Sequence, residues 1–262
     1  MRFFASSLGA LLLVSSPALA QVMGLGSPHK QFGGTATTKP TTHILNLQAA
    51  TASKGNFNGF LGVTHDVQGN FWATSRRDLA NTTNPHMLHK FDKNGKYLTS
   101  FPQPSSVNSG SSWGIRDMAF ERKISPIHIY GSCENSATSF RVLAFNVITG
   151  KWDPPNDFKV PAAIGTSTVR ALAFDPLGNS GNGSIWTANF SSQIFEFDLV
   201  KASSTGTPKI LNTYQSAQTA TYGFAYDAAR KTMWAHGQSG TTTPTPALGS
   251  LIHSHRGDGI RC

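Results

Sequence analysis

The feature of this sequence that most constrains its fold is a pattern that repeats about every fifty residues. In each copy an apolar segment ends in an acidic residue, a turn follows, and a second apolar segment carries an aromatic residue. The four acidic residues are Asp66, Glu121, Asp175 and Asp227. Short strands separated by turns, with no helical periodicity of comparable length, predict an all-β fold. We therefore expect a β-propeller with blades of about four antiparallel strands, with four repeats visible and the last one incomplete.

Two local features of the repeat have structural explanations. The segments "DVQGN" (66–70) and "DPLGN" (175–179) are typical of turns in which the Asp accepts backbone N–H groups and the Gly takes a positive φ. An aromatic residue also recurs at one position of every copy, as Trp72, Tyr130, Trp186 and Trp234. Because a ligand platform is needed once and a packing wedge in every blade, we expect these rings to pack between blades.

The ends of the repeat region leave two ways to complete the ring. In one, the early segment "HILNL" (43–47) pairs as the outer strand of the last blade and closes a four-bladed propeller. In the other, the chain is part of a larger ring that is truncated, because "HSHRGDGIRC" (253–262) abandons the repeat pattern. The sequence leaves both alternatives open.

The chain divides into four regions by composition. Residues 1–20 have a basic start, a short apolar run and a small-residue ending, which predicts a signal peptide cleaved near Ala20. Residues 21–42 are expected to be a flexible N-terminal segment, residues 43–252 the propeller repeats, and residues 253–262 an irregular tail. No later segment is long and apolar enough for a transmembrane helix, so we expect a secreted or periplasmic protein.

Composition excludes several classes of function. The formal net charge is +9, but the basic residues are scattered, without a basic helix or an alternation of basic and aromatic residues, so no nucleic-acid partner is expected. The two cysteines, Cys133 and Cys262, do not make a disulfide framework. The sequence lacks zinc-type histidine spacing, a GxSxG elbow and a phosphate-binding glycine loop. We therefore expect no nucleotide or organic cofactor.

Candidate functional residues are those that depart from the repeat. Asp117 in "RDMAFE" stands where "RALAFD" has Ala171, so it is a candidate acid/base group or metal ligand. The alternative is a salt bridge from Asp117 to Arg116 or Arg170, the two recurring arginines, which are also candidate binding residues. A third candidate binding segment is Arg76-Arg77-Asp78, where the copies diverge after the Trp-containing strand.

The motif "GVTHDVQGNFWAT" (62–74), followed by "FDKNGK" (91–96), resembles secreted propellers of the NHL-repeat, virginiamycin-B-lyase-like and gluconolactonase-like group. The resemblance extends from about residue 43 onward. In gluconolactonase-like propellers an axial Ca²⁺ held by acidic and Asn side chains polarises the substrate carbonyl. The resemblance implies a corresponding metal site made of Asp117, Glu134, Asn135 and Asn189. By similarity to virginiamycin-B-lyase-like enzymes, in which a His acts with a divalent ion, His236 is a candidate catalytic residue with Asp117.

Two hypotheses for function follow. The first is an exported propeller that binds a small molecule, a glycan or an envelope protein at one rim. The second is a calcium-dependent hydrolase of the lactonase or esterase type, or a lactone-opening lyase, in which the cation acts as a Lewis acid.

Overall fold

The computed structural model describes residues 46–55, 57–77, 83–110, 112–122, 128–133, 141–160, 169–188, 193–201, 207–215, 221–227, 231–238 and 246–253. Within these residues the chain forms four antiparallel sheets in chain order. The prediction of an all-β, propeller-like fold is confirmed. No helix among the described residues has the length and apolar character needed to cross a membrane.

The first two sheets follow a short helical entry, α1 (Leu47–Thr51) and the 3₁₀ turn η1 (Ala52–Lys54). The first sheet contains β1 (Asn58–His65), β2 (Phe71–Arg76), β3 (Met87–Phe91) and β4 (Tyr97–Pro102). Helix α2 (Ser105–Gly110) leads to the second sheet, which contains β5 (Ile115–Phe120), β6 (His128–Cys133), β7 (Arg141–Asn146) and β8 (Lys151–Trp152). After the 3₁₀ turn η2 (Pro154–Asn156), β9 (Phe158–Lys159) also pairs with β7.

The last two sheets repeat the same arrangement. The third contains β10 (Ala171–Asp175), the short turn α3 (Gly178–Gly181), β11 (Ser184–Ala188), β12 (Gln193–Lys201) and β13 (Pro208–Gln215). The fourth contains β14 (Thr221–Asp227), β15 (Thr232–Gln238) and β16 (Pro246–His253). Its three strands lie within the described residues, and residues 254–262, which follow β16, lie outside them.

The first strand of each sheet is the inner strand. Strand β1 packs against β5, β5 against β10, and β10 against β14, so the four inner strands gather around one region. The acidic residue of each repeat closes or directly follows its inner strand, at one end of this group. The residues that begin the inner strands therefore share the opposite end, which is called the rim below.

Three apolar clusters fill the spaces between neighbouring sheets, and an aromatic residue of the repeat lies in each. Trp72 packs with Phe145 between the first and second sheets, with ring centres 5.6 Å apart. Tyr130 shares a cluster with Phe174 of the third sheet, and Trp186 shares one with Phe224 of the fourth. Since Trp72 and Trp186 are each 1% exposed, the prediction of a packing wedge is confirmed for them.

The predicted turn chemistry is confirmed at the first site and only in part at the second. Asp66 Oδ1 accepts the backbone N–H groups of Gln68 and Asn70, each at 2.9 Å, and Gly69 has φ 79°. Asp175 Oδ1 likewise accepts the N–H of Leu177 at 2.8 Å.

The prediction of a positive φ at Gly178 is wrong. The left-handed residues of this longer turn are Asn179, Ser180, Gly181 and Gly183. Gly178 is required instead because a Cβ there would collide with the Ser184 side chain.

The proposed closing strand "HILNL" is also wrong for the part that the structure describes. Leu47 begins helix α1, and the Asn46 side chain caps this helix by accepting the N–H of Ala49 at 2.9 Å. Asn is a preferred N-cap residue, and the following "LQAAT" favours a helical turn, so local capping prevails over strand pairing here. Residues 43–45 lie outside the described residues.

Candidate functional site

The rim is built from equivalent positions of the four repeats. Counting back five residues from each repeat's acid gives Leu61, Arg116, Arg170 and Tyr222. Counting back four residues gives Gly62, Asp117, Ala171 and Gly223. Because the inner strands pack side by side, side chains far apart in the chain become neighbours at this level of the fold.

Trp113 lies at the rim just before β5, in contact with two arginines. The guanidinium carbon of Arg76, at the end of β2, is 3.6 Å from the centre of the Trp113 ring, and that of Arg116 is 4.6 Å from it. The Arg76 Nε also donates to the carbonyl of Ser112 at 3.2 Å. Cation–π attraction thus holds two positive charges on one aromatic platform.

Tyr222 extends this arrangement to the third and fourth sheets. Arg116 Nη1 donates to its hydroxyl at 3.2 Å, and the guanidinium carbon of Arg170 is 5.9 Å from its ring centre. The series Arg76–Trp113–Arg116–Tyr222–Arg170, called the rim cluster below, therefore draws on all four sheets. Arg116 is 5% exposed, whereas the other four side chains are only partly buried and accessible to a ligand.

Register shifts place two members of the rim cluster. In β5 the pairing with β6 shifts between Ile115 and Met118, which brackets Arg116. In β14 the pairing with β15 shifts between Thr221 and Gly223, which brackets Tyr222. An extra residue in a strand redirects its side chain, and such irregularities are common beside functional sites.

Arg77, the second arginine of the predicted binding segment, belongs to a structural network beside the rim. Its backbone N–H donates to His86 Nδ1 at 2.9 Å, and its Nη1 donates to the carbonyl of Asn108 at 3.0 Å. The Asn108 side chain in turn accepts the N–H of His86 at 2.6 Å. Because His86 is fully buried, this network anchors the backbone and guanidinium of Arg77, whose side chain is partly buried like that of Arg76.

Asp117 lies at the centre of the inner strands and is 6% exposed. Its Oδ1 accepts the N–H of Met118 at 2.9 Å, and its Oδ2 accepts those of Leu172 at 2.8 Å and Phe224 at 3.3 Å. Burial raises the pKa of this carboxyl to about 7, against the lowering effect of the three backbone hydrogen bonds. The hydrogen-bond partners of the carboxylate are backbone groups of three sheets, not the arginine side chains that the salt-bridge alternative requires.

The environment of Asp117 does not fit a calcium ligand. Calcium sites supply several oxygen atoms directed at the ion, whereas both oxygens of Asp117 accept N–H groups and the preceding residue is Arg116. Among the described residues, no three His, Cys, Asp or Glu side chains are grouped so that they could hold a metal ion.

The remaining predicted site residues are placed only in part. Asp78, Glu134, Asn135 and Asn189 lie outside the described residues. His236 lies on β15 opposite Gly223, one residue from Tyr222 in the facing strand. The structure thus brings Arg76, Arg116 and Arg170 together at the rim and leaves the predicted metal set without a described second ligand.

A buried Ser–His pair is the other arrangement with catalytic residue types. Ser75 Oγ and His89 Nε2 are 2.8 Å apart, and both side chains are fully buried. Burial lowers the pKa of His89 to about 4, and the rings of Phe57 and Phe60 pack against it. A neutral imidazole enclosed by aromatic rings has no route to a substrate, so this pair belongs to the core.

Sequence reasoning missed Trp113 and Tyr222. Tyr222 has a signal, because it occupies the repeat position that holds Arg116 and Arg170. Trp113 lies three residues before Arg116 and outside the aromatic position of the repeat, which marks it as specific to one blade.

Comparison with known proteins adds no family assignment: no protein-family model matches the chain, and no curated protein matches it.

Proposed function

We propose that this chain is an exported β-propeller that binds an anionic ligand at its rim. The ligand is a small acidic molecule or an acidic glycan that presents carboxylate, sulfate or phosphate groups to the rim cluster. Export rests on the signal-peptide pattern of residues 1–20, with cleavage near Ala20. The motif "GVTHDVQGNFWAT" supports placing the chain with the NHL-repeat and gluconolactonase-like propellers.

The observation that carries this proposal is the convergence of three guanidinium groups from three sheets on two aromatic rings. Guanidinium groups match carboxylate and phosphate oxygens with paired N–H donors. Contact with Trp113 and Tyr222 restricts the arginine side chains before a ligand arrives, which lowers the entropy that binding has to remove. The site is therefore preorganised for anions.

The charge of the whole chain supports the same ligand class. A formal net charge of +9 attracts anions over a distance comparable to the Debye length and raises their rate of encounter. This field is not specific by itself, so the rim cluster has to provide the selectivity.

Calorimetric titration tests the proposal with probes of defined charge. The probes are a heparin tetrasaccharide, a short oligogalacturonate and orthophosphate, and the methyl-esterified oligogalacturonate is the neutral control. We expect binding of at least one acidic probe and none of the ester. Arg116→Gln and Arg170→Gln should each weaken binding of the acidic probe about tenfold, which corresponds to a loss of roughly 1.4 kcal/mol of binding free energy.

The matched control is Arg122→Gln, which removes the same charge just beyond the opposite end of β5. Arg122 is exposed, with Nη2 2.7 Å from His65 Nε2. Equal losses of affinity in Arg116→Gln and Arg122→Gln would show that the effect comes from net charge and would contradict a rim site. Lactone hydrolysis that requires added Ca²⁺ and disappears in Asp117→Asn would replace this proposal with the metal-dependent hydrolase.

A further inference from the structure

We infer that Asp117 is the positioning residue of the rim cluster: its carboxylate ties three inner strands together directly beneath the ligand-binding side chains. This inference rests on the proposed function, because it assigns Asp117 a role in anion binding without contact to the anion. It differs from the metal-ligand and acid/base roles, which require a carboxylate that reaches the ligand.

The geometry is regular across the three sheets. Each backbone N–H that donates to the Asp117 carboxylate belongs to the residue two places after a member of the rim cluster. The three pairs are Arg116 and Met118, Arg170 and Leu172, and Tyr222 and Phe224. One carboxylate therefore sets the relative height and spacing of the strand segments that carry Arg116, Arg170 and Tyr222.

The neighbouring repeat positions leave room for this single side chain. The residues equivalent to Asp117 are Gly62, Ala171 and Gly223, which have little or no side chain. A Cβ on Gly62 would lie 2.8 Å from the Cα of Asp117, so the first sheet also closes against this point. Ser132 holds the backbone of Asp117 from β6, since its Oγ accepts the Asp117 N–H at 2.8 Å.

Loss of the carboxylate would leave three buried N–H groups without their acceptor. Buried donors without a partner are costly, so the strands are expected to shift until other acceptors or water reach them. The Arg116–Tyr222 hydrogen bond of 3.2 Å joins two of these strands, and such a shift would lengthen it. The effect on ligand binding would then pass through the backbone.

Two substitutions separate this role from charge. Asp117→Ala removes every acceptor. Asp117→Asn keeps one carbonyl oxygen that can accept the N–H groups of Leu172 and Phe224, and it leaves only the Met118 N–H, within β5 itself, without an acceptor. We expect Asp117→Ala to weaken binding of the heparin tetrasaccharide about tenfold or more. Asp117→Asn should restore affinity to within about threefold of the unmodified protein, because the ties between sheets persist.

The matched control for destabilisation is Asp66→Ala. Asp66 is also a buried aspartate, 5% exposed, and its oxygens accept backbone N–H groups and the Trp72 indole at 3.0 Å, but at the end opposite the rim. Measured below its melting temperature, Asp66→Ala should bind the probe unchanged. A loss of affinity in Asp66→Ala equal to that in Asp117→Ala would reduce the effect to stability and overturn the inference.

A double-mutant cycle adds a readout that a purely structural role would not move. Since Asp117 acts through Arg170, the losses from Asp117→Ala and Arg170→Gln should be markedly less than additive. Additive losses would show that the two residues act independently and would contradict the inference.

Two measurements keep the inference testable if a variant or the probe fails. If Asp117→Ala does not fold, amide exchange on the unmodified protein replaces it: the probe should slow exchange at Leu172 and Phe224 and not at Asn70. If no probe binds, the proposed function fails, and the indole NMR signal of Trp113 still reports on positioning. That signal should shift in Asp117→Ala and not in Asp66→Ala; unchanged signals in both would overturn the inference.

Discussion

Trp72 and Trp113 show how the same residue type serves two purposes in one molecule. Trp72 is 1% exposed, and its indole N–H donates to Asp66 Oδ2 at 3.0 Å, so its whole surface is used in packing and turn stabilisation. Trp113 is only partly buried and contacts the guanidinium groups of Arg76 and Arg116.

Alanine substitutions of these two tryptophans should therefore separate stability from binding. Trp72→Ala should lower the free energy of unfolding by about 3–5 kcal/mol, as expected for a large buried side chain. Trp113→Ala should lower the free energy of unfolding by about 1 kcal/mol. It should also weaken binding of the acidic probe about tenfold, because Arg76 and Arg116 lose the ring that they contact. Urea unfolding and calorimetric titration measure the two quantities; equal effects of both variants on affinity would contradict this division.

The carboxyl of Asp117 should make stability depend on pH in a defined window. Its pKa is raised from 3.8 to about 7, so the native state holds the proton more tightly than the unfolded chain between these values. The stability that this provides is fully present below pH 3.8 and is lost as pH rises through 7. At about 1.4 kcal/mol per pKa unit, the full change is roughly 4 kcal/mol.

The measurement is the melting temperature of the unmodified protein relative to Asp117→Asn across this window. His89 has the opposite effect, because its lowered pKa of about 4 removes stability as pH falls from 6.5. His89 is present in both the unmodified protein and Asp117→Asn, so its contribution cancels in the difference between their melting temperatures. A difference that stays constant from pH 4 to 8 would show that Asp117 does not titrate as described.

At the scale of strands, the approach of β1 to β5 depends on Gly62. A Cβ there would lie 2.8 Å from Cα and 3.0 Å from a backbone carbonyl oxygen of the facing strand, which cannot rotate away. Gly62→Ala should therefore destabilise the fold by about 1–3 kcal/mol through overpacking. Gly181→Ala, at a left-handed turn with no atom within 4 Å of the added Cβ, is the control for backbone strain alone. A smaller cost at Gly62 than at Gly181, by urea unfolding, would contradict the close approach.

The same scale shows what local sequence could predict about the fold. The strand order followed from the repeat, because each apolar segment and its turn recur in register with the acid. The helix at Leu47–Thr51 and the left-handed residues Asn179 and Ser180 did not follow, because both depend on side-chain capping and turn length rather than on apolar pattern. Local hydrogen bonds determine the backbone conformation of these two segments.

At the scale of the whole molecule, a ligand on the rim cluster would contact side chains from all four sheets. Ligands that bind only the native state raise its stability, by about 2.7 kcal/mol at a hundredfold excess over Kd. We therefore expect saturating heparin tetrasaccharide to raise the melting temperature of the unmodified protein and of Arg122→Gln. The same shift in Arg116→Gln would mean that the probe binds elsewhere.

The sequence predicted the site only in part, because its side chains come together only when the four sheets pack. Arg76, Arg116 and Arg170 stood out as departures or repeats within the sequence, but no spacing rule brings them together before the sheets pack. Tyr222 can be found in the sequence by aligning the repeats on their acidic residues, but its contacts with Arg116 and Arg170 depend on the packed sheets. The tie from Asp117 to Leu172 and Phe224 spans more than fifty residues in each case, which only the tertiary fold creates.

The most direct test of the central claim is the salt dependence of binding to the rim cluster. Association of the heparin tetrasaccharide should weaken as salt rises, since each ionic contact releases counterions, and the slope should shrink with each arginine of the rim cluster changed to Gln. In the triple variant Arg76→Gln, Arg116→Gln and Arg170→Gln, binding should be lost at physiological salt, while Arg122→Gln keeps both affinity and slope. A triple variant that binds with the affinity and slope of the unmodified protein would contradict the account.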